Sequence, residues 1–146
     1  MEKDSGKEKR SASKHFQDSF EQMAQAAMVG FWEWSIPDGH MIYSEEWERI
    51  AGYWPGELVQ HISAWQSMVL PEDSPTVSKA VAACVDGETD IYEVEFRMRK
   101  KDGTVFWAQN KGMVIERDAE GKALRIMGVL HDISRLKKTE EDLQAA

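Results

Sequence analysis

The side chains able to do chemistry in this 146-residue chain are a few histidines, clustered carboxylates and one cysteine, and their spacing argues against a catalytic centre. His131-Asp132 has the form of a phosphohydrolase metal dipeptide, but a strand end without partner ligands cannot hold a metal. Glu45, Glu46 and Glu48 cluster where a helix starts. Acids are favoured there by the helix dipole, and adjacent helical residues point in different directions, so the cluster reads as a solvated face. Cys84 is the only cysteine. It excludes an intramolecular disulfide and a thiolate zinc site, and among Ala82, Ala83 and Val85 it reads as a small buried thiol. Nucleophile elbow, phosphate-binding glycine loop and phospho-acceptor histidine box are all missing, which points away from an enzyme. The chain does have six tryptophans, whose indoles require a deep core or a stacking partner.

The charge balance narrows the partners. Lys plus Arg is 18 against 26 Asp plus Glu, a net charge of −8. That excludes a nucleic-acid backbone, which needs a basic face, and contact with an anionic membrane surface. No apolar run approaches the ~18 residues of a membrane span, and the charged N-terminus lacks the apolar stretch of a signal peptide. These features predict a cytoplasmic domain, and the length allows one domain with flanking segments.

The elements that must position these residues follow from periodicity. Residues 1–15 are polar and charged, and read as a disordered tail. Phe16, Phe20, Met23 and Ala27 recur at helical spacing and predict an amphipathic helix over 16–29, closed by Gly30. Phe31 to Trp34 and His40 to Ser44 read as a hairpin around Pro37-Asp38-Gly39. Short helices are expected around Trp47, after Pro55 and around Trp65, then a longer one from Asp73-Ser74-Pro75 through Val81 to Val85. From Tyr92 the period becomes two, giving strands Tyr92 to Arg99, Val105 to Ile115 and Ala123 to His131. A charged helix over 135–146 leaves the domain, with Ile133, Leu136, Glu140 and Leu143 at coiled-coil steps. Strands segregated from helices imply an α+β fold: a five-stranded antiparallel sheet, short helices on one face, and a flanking helix at each end.

The run Gly30-Phe31-Trp32-Glu33-Trp34, then Trp47 to Tyr53, then Trp65 with Pro71-Glu72-Asp73, resembles the first half of a PAS domain. Tyr92 to Arg97, Lys101-Asp102-Gly103, Trp107, Gly128 and Asp132-Ile133-Ser134 resemble its second half, the PAC motif. The resemblance covers residues 30–134 and is nearest the Trp-x-Trp subgroup of bacterial sensor histidine kinases and cyclic-di-GMP signalling proteins. Two departures stand out: Leu70 replaces the histidine often found before Pro-Glu-Asp, and Ser134 replaces the threonine of Asp-Ile-Thr.

The resemblance implies a sensory domain of a two-component or cyclic-di-GMP protein, relaying a small molecule or cofactor state to an effector lying beyond the C-terminal helix. The ligand is unknown. Candidate pocket residues are Trp32, Trp34, Trp47, Trp65, Val81, Val94, Phe96, Trp107, Gln109, Ile126 and Gly128, with Asn110 as an alternative to Gln109. Asp132, Ile133 and Ser134 are the candidate relay. Phe16, Phe20, Met23, Ala27, Leu136 and Leu143 are the candidates for a homodimer seam. Haem needs an axial imidazole, which the long helix lacks, and adduct-forming flavin needs a cysteine on the short helix after Tyr53, which is also missing. Non-covalent FAD or FMN stacked on the indoles is left open, as is a ligand-free dimerisation module with a packed aromatic cup.

Overall fold

A computed structural model describes residues 14–16 and 18–145. Of the tail expected over 1–15, all but its last two residues lie outside these. Residues 18–26 form helix α1. Met28 then takes a left-handed φ of 56°, which ends the helix, and the chain enters β1 (Val29–Ser35). This strand starts two residues before the expected Phe31, because Val29 and Gly30 pair with His131 and Leu130. Next come β2 (Met41–Tyr43), α2 (Glu45–Ile50), α3 (Ile62–Met68) and α4 (Ser74–Val85). Strands β3 (Tyr92–Arg99), β4 (Val105–Arg117) and β5 (Ala123–Asp132) follow, then α5 (Ser134–Ala145).

The helix expected after Pro55 does not form. Residues 52–61 run as turns, with Gly52 and Gly56 at φ 83° and 84°. The buried Glu48 carboxylate accepts the Gly56 N–H at 2.9 Å and holds that path. Asp73 precedes α4 as expected, but its carboxylate does not cap the helix. It accepts instead from the Arg97 backbone N–H at 2.7 Å and from the guanidinium at 3.0 and 2.7 Å. A charged fork outcompetes a neutral backbone donor for the same oxygens.

The five strands form one antiparallel sheet in the order β2-β1-β5-β4-β3. The first hairpin joins the last three strands along the β1–β5 pairing, which runs from Val29↔His131 to Ser35↔Arg125. Alternation then decides what is buried. Tyr92, Val94, Phe96 and Met98 face inward on β3, and Phe106, Ala108 and Asn110 do so on β4. Helices α2 to α4 cover this face with Trp47, Trp65, Met68, Val77 and Cys84. Each fully buried large side chain of this set stabilises the fold by about 1.5–3 kcal/mol. Side chains also fix the helix ends to the sheet. Ser44 Oγ accepts the Trp47 N–H at 3.2 Å and the Phe31 N–H at 2.8 Å, tying the start of α2 to β1. The Tyr43 hydroxyl donates to the His61 carbonyl at 2.8 Å and accepts the Trp65 N–H at 3.3 Å, tying α3 to β2. Among the described residues no helix is long and apolar enough to cross a membrane.

Candidate functional site

The cup between sheet and helices encloses a cavity of about 20 Å³, room for roughly one water molecule. The sheet contributes Trp32, Trp34, Met41, Tyr92, Asn110 and Ile126, and the helical side contributes Trp47, Ile62, Trp65 and Val81. No wall residue is charged. Beyond Trp34, Ile62, Trp65 and Val81 lies a groove of about 440 Å³ along α3 and α4 that shares these four as its inner wall. That volume falls in the range of small-molecule sites, roughly 300–1,000 Å³.

Local sequence explains the seating of the indoles. Gly112 on β4 pairs with Gly128 on β5, and Trp32 lies over both. A Cβ at Gly128 would come within 2.3 Å of Trp32 Cζ2, so only glycine leaves the ring its space. The Trp32 indole N–H donates to Asn110 Oδ1 at 3.1 Å, and Tyr92 meets Trp32 edge-on at 6.4 Å. Trp34 Nε1, Trp65 Nε1 and the Tyr92 hydroxyl are buried without a hydrogen-bond partner, and all three side chains are walls of this one cavity. Burial pushes the Tyr92 hydroxyl far above the ordinary phenol pKa against the opposing influence of the nearby Asn110 amide, so it stays protonated.

Six of the expected pocket residues, Trp32, Trp34, Trp47, Trp65, Val81 and Ile126, meet in the cavity wall. Val94 and Phe96 share the interior but pack within the core, with Phe96 edge-on to Trp65 at 5.8 Å. Gly128 is the floor under Trp32. Trp107 and Gln109 must be reassigned: strand parity turns them to the opposite face, while Phe106, Ala108 and Asn110 point inward. Asn110, the alternative to Gln109, is the one that enters the wall, and Met41, Ile62 and Tyr92, absent from the expected set, complete it. The signal for Asn110 was its parity, a lone polar residue in step with Phe106 and Ala108.

On the outer face Trp107 lies between two cations, with Arg97 at 5.5 Å and Lys137 of α5 at 4.9 Å from its ring centroid. Arg97 is the residue that holds Asp73, and its guanidinium keeps that carboxyl below the usual carboxylate range. Lys137 also pairs with Glu95 at 2.5 Å. The start of α5 is fastened to β4 as well. Ile133 N–H donates to the Trp107 carbonyl at 2.9 Å, Trp107 N–H to Ser134 Oγ at 3.1 Å, and Ser134 N–H to Asp132 Oδ1 at 2.9 Å. Ile133 is buried, whereas Leu136 and Leu143 are exposed. Phe20 of α1 packs on Phe31 at 4.5 Å, while Met23 of the same helix and the flanking Phe16 and Ala27 face outward. Among the described residues no three His, Cys, Asp or Glu are grouped to hold a metal ion.

Comparison with known proteins agrees with this architecture. A histidine kinase from Brucella ovis described as blue-light-activated is 28% identical over 123 residues, covering 84% of this chain and 24% of the relative. The chain thus spans about a quarter of that relative's length. A sensory box histidine kinase/response regulator from Burkholderia thailandensis superposes with TM-score 0.75 at 28% identity, covering 86% of this chain and 92% of that one. The N-terminal domain of a diguanylate cyclase with a PAS/PAC sensor from Marinobacter aquaeolei superposes with TM-score 0.65 at 22% identity, covering 75% and 98%. The family described as PAS fold matches residues 40–130, from the bridge at His40 to the buried Leu130 of β5. With its sheet order, helix-covered aromatic cup and exit helix, the chain belongs to the PAS family.

Proposed function

We propose that this chain is the sensory domain of a longer signalling protein, which detects a small molecule in the cup and relays its presence through α5 to an effector. One observation carries the reading: the polar atoms of Trp34, Trp65 and Tyr92 are buried without partners on three side chains that line a single cavity. Native proteins leave few such groups, because each costs about 1–3 kcal/mol. Three around one space indicate a site shaped for something other than core packing. The relay follows from connectivity. Asn110 and Ile126 of the wall lie on β4 and β5, the two strands that hold the start of α5. A ligand shifts the balance between two arrangements of that clamp only to the extent that it binds one better. Asp132, Ile133 and Ser134 form the hinge, and Trp107 acts there as an outer brace on α5.

The effector is a histidine kinase or a cyclic-di-GMP enzyme, in line with the descriptions of the Brucella, Burkholderia and Marinobacter proteins. The chain works as a homodimer, with the exposed Phe16, Met23 of α1, and Leu136 and Leu143 of α5 in the seam. A non-covalent flavin is the alternative occupant. The Asn110 amide oxygen, accepting from Trp32, keeps a second lone pair for a ring N–H. An isoalloxazine is far larger than the cavity of about 20 Å³, however, and would require the groove along α3 and α4 to open into it. Cys84 is fully buried outside the wall, and no wall residue is a histidine that could ligate haem. Mass spectrometry of material released from natively purified protein tests the sensory reading. A reproducible small molecule near one per chain is expected, and its consistent absence would favour a ligand-free dimerisation module.

A further inference from the structure

The polar groups of the cavity fall almost entirely on one side of the hydrogen-bond ledger. An indole N–H can only donate, and two of them, on Trp34 and Trp65, stand buried and unpartnered. The Tyr92 hydroxyl, protonated and also unpartnered, has a proton to give. The side-chain carbonyl in the wall, on Asn110, accepts from Trp32 and keeps one lone pair, while its amide NH2 lies beside the Tyr92 hydroxyl, whose own proton is left to donate elsewhere. The other walls, including Met41, Ile62, Val81 and Ile126, are apolar, and none carries a charge to neutralise an ion. Taking an ion out of water into such surroundings costs several kcal/mol, whereas a neutral acceptor meets donors that are already desolvated.

Resting on the sensory reading above, we infer that the cup takes a compact, uncharged molecule whose acceptor oxygen (a ketone, aldehyde or amide carbonyl) sits on an apolar body, and that it excludes anions, for which the groove offers the Asp86 carboxylate and no cation. The ligand enters from the groove along α3 and α4. The cavity itself holds only about 20 Å³, so Trp34 and Trp65 must swing for the two spaces to merge, and the donors reach the carbonyl in that merged volume.

Three probes of one shape test this: acetophenone, α-methylstyrene, which replaces the carbonyl oxygen by a methylene, and benzoate, which replaces the methyl by a charged oxygen. Each is titrated into the full chain and followed by the indole N–H and backbone amide resonances, with Trp34→Phe and Trp65→Phe assigning the indoles. Acetophenone is expected to saturate and to move both indole N–H signals downfield. α-Methylstyrene should bind at least about tenfold more weakly, the fold-change of one lost hydrogen bond to a buried donor. Benzoate should not bind. Tyr92→Phe should weaken acetophenone while leaving the empty protein as stable as before or more so, because it removes an unpartnered hydroxyl. Equal binding of acetophenone and α-methylstyrene, preference for benzoate, or no saturation by any probe would each overturn the inference. Saturation by acetophenone with α5 amides unmoved would uphold the ligand class and refute the relay.

Discussion

Replacing Gly128 by alanine puts the seating of Trp32, and with it the shape of the cavity, to a quantitative test. The added Cβ would lie 2.2 Å from the Lys111 carbonyl oxygen and 2.3 Å from Trp32 Cζ2, against ordinary contacts of 3.4–4 Å. The carbonyl belongs to the paired strand β4 and cannot retreat without opening the ladder between Lys111↔Val129 and Gly112↔Gly128. The indole therefore has to tilt by roughly 1 Å into a cavity of only about 20 Å³, which strains the 3.1 Å bond to Asn110. Overpacking costs about 1–3 kcal/mol, and a buried pair left unpaired adds about 1–3 kcal/mol, so the expected loss is about 2–6 kcal/mol. At roughly 4 °C per kcal/mol for a domain of this size, Tm falls by about 8–24 °C. Gly121→Ala is the control, because Gly121 has φ 85° and nothing within 4 Å, leaving only a backbone cost of about 1–2 kcal/mol. Urea melts of the three proteins give the comparison. If Gly128→Ala loses no more than Gly121→Ala, Trp32 is not seated on the paired glycines and the cavity is not shaped as described.

Asp73 predicts a pH effect. Its carboxyl is held down in the fold by the Arg97 side chain, so its stabilisation is present above the unfolded value of about 4 and is lost as pH falls through the lower folded value. Asp73→Asn should cost about 1–2 kcal/mol at neutral pH and flatten the acid limb of a stability-versus-pH curve; an unchanged acid limb would count against it. Asp132→Ala removes the acceptor of the Ser134 N–H and should fray the first turn of α5 at a cost of about 1 kcal/mol, leaving acetophenone affinity within about twofold. Equal loss of affinity and helix would argue against a hinge. Trp107→Ala deprives Lys137 of its aromatic partner and should raise amide exchange throughout α5, while the cavity-lining strands stay protected.

The fold was largely readable because its signals are local and repeated. The two-residue period of Tyr92 to Arg99 predicted an inward face that β3 presents, and Gly87, Gly103 and Gly121, all at positive φ, mark the turns where the chain reverses. What stayed hidden depends on long-range competition. Asp73 looks like a helix cap until a strand more than twenty residues later brings Arg97 against it. Pro55 looks like a helix start until Glu48 captures the Gly56 N–H. In the site, the tryptophans of β1 and α3 were legible from the motif. Trp107 and Gln109 were misplaced because residue type was weighed above parity on β4, and the same parity points to Asn110. Tyr92 reads as ordinary strand core, since only three dimensions reveal that its hydroxyl has no partner.

The central claim is that the state of the cup reaches α5. Hydrogen–deuterium exchange of the full chain, with and without saturating acetophenone, tests it most directly. The account predicts slowed exchange in β4 and β5 around Asn110 and Ile126 together with a change across residues 134–145, and little at the α2 start held by Ser44. Protection confined to the cavity walls, with α5 exchanging as before, would contradict it.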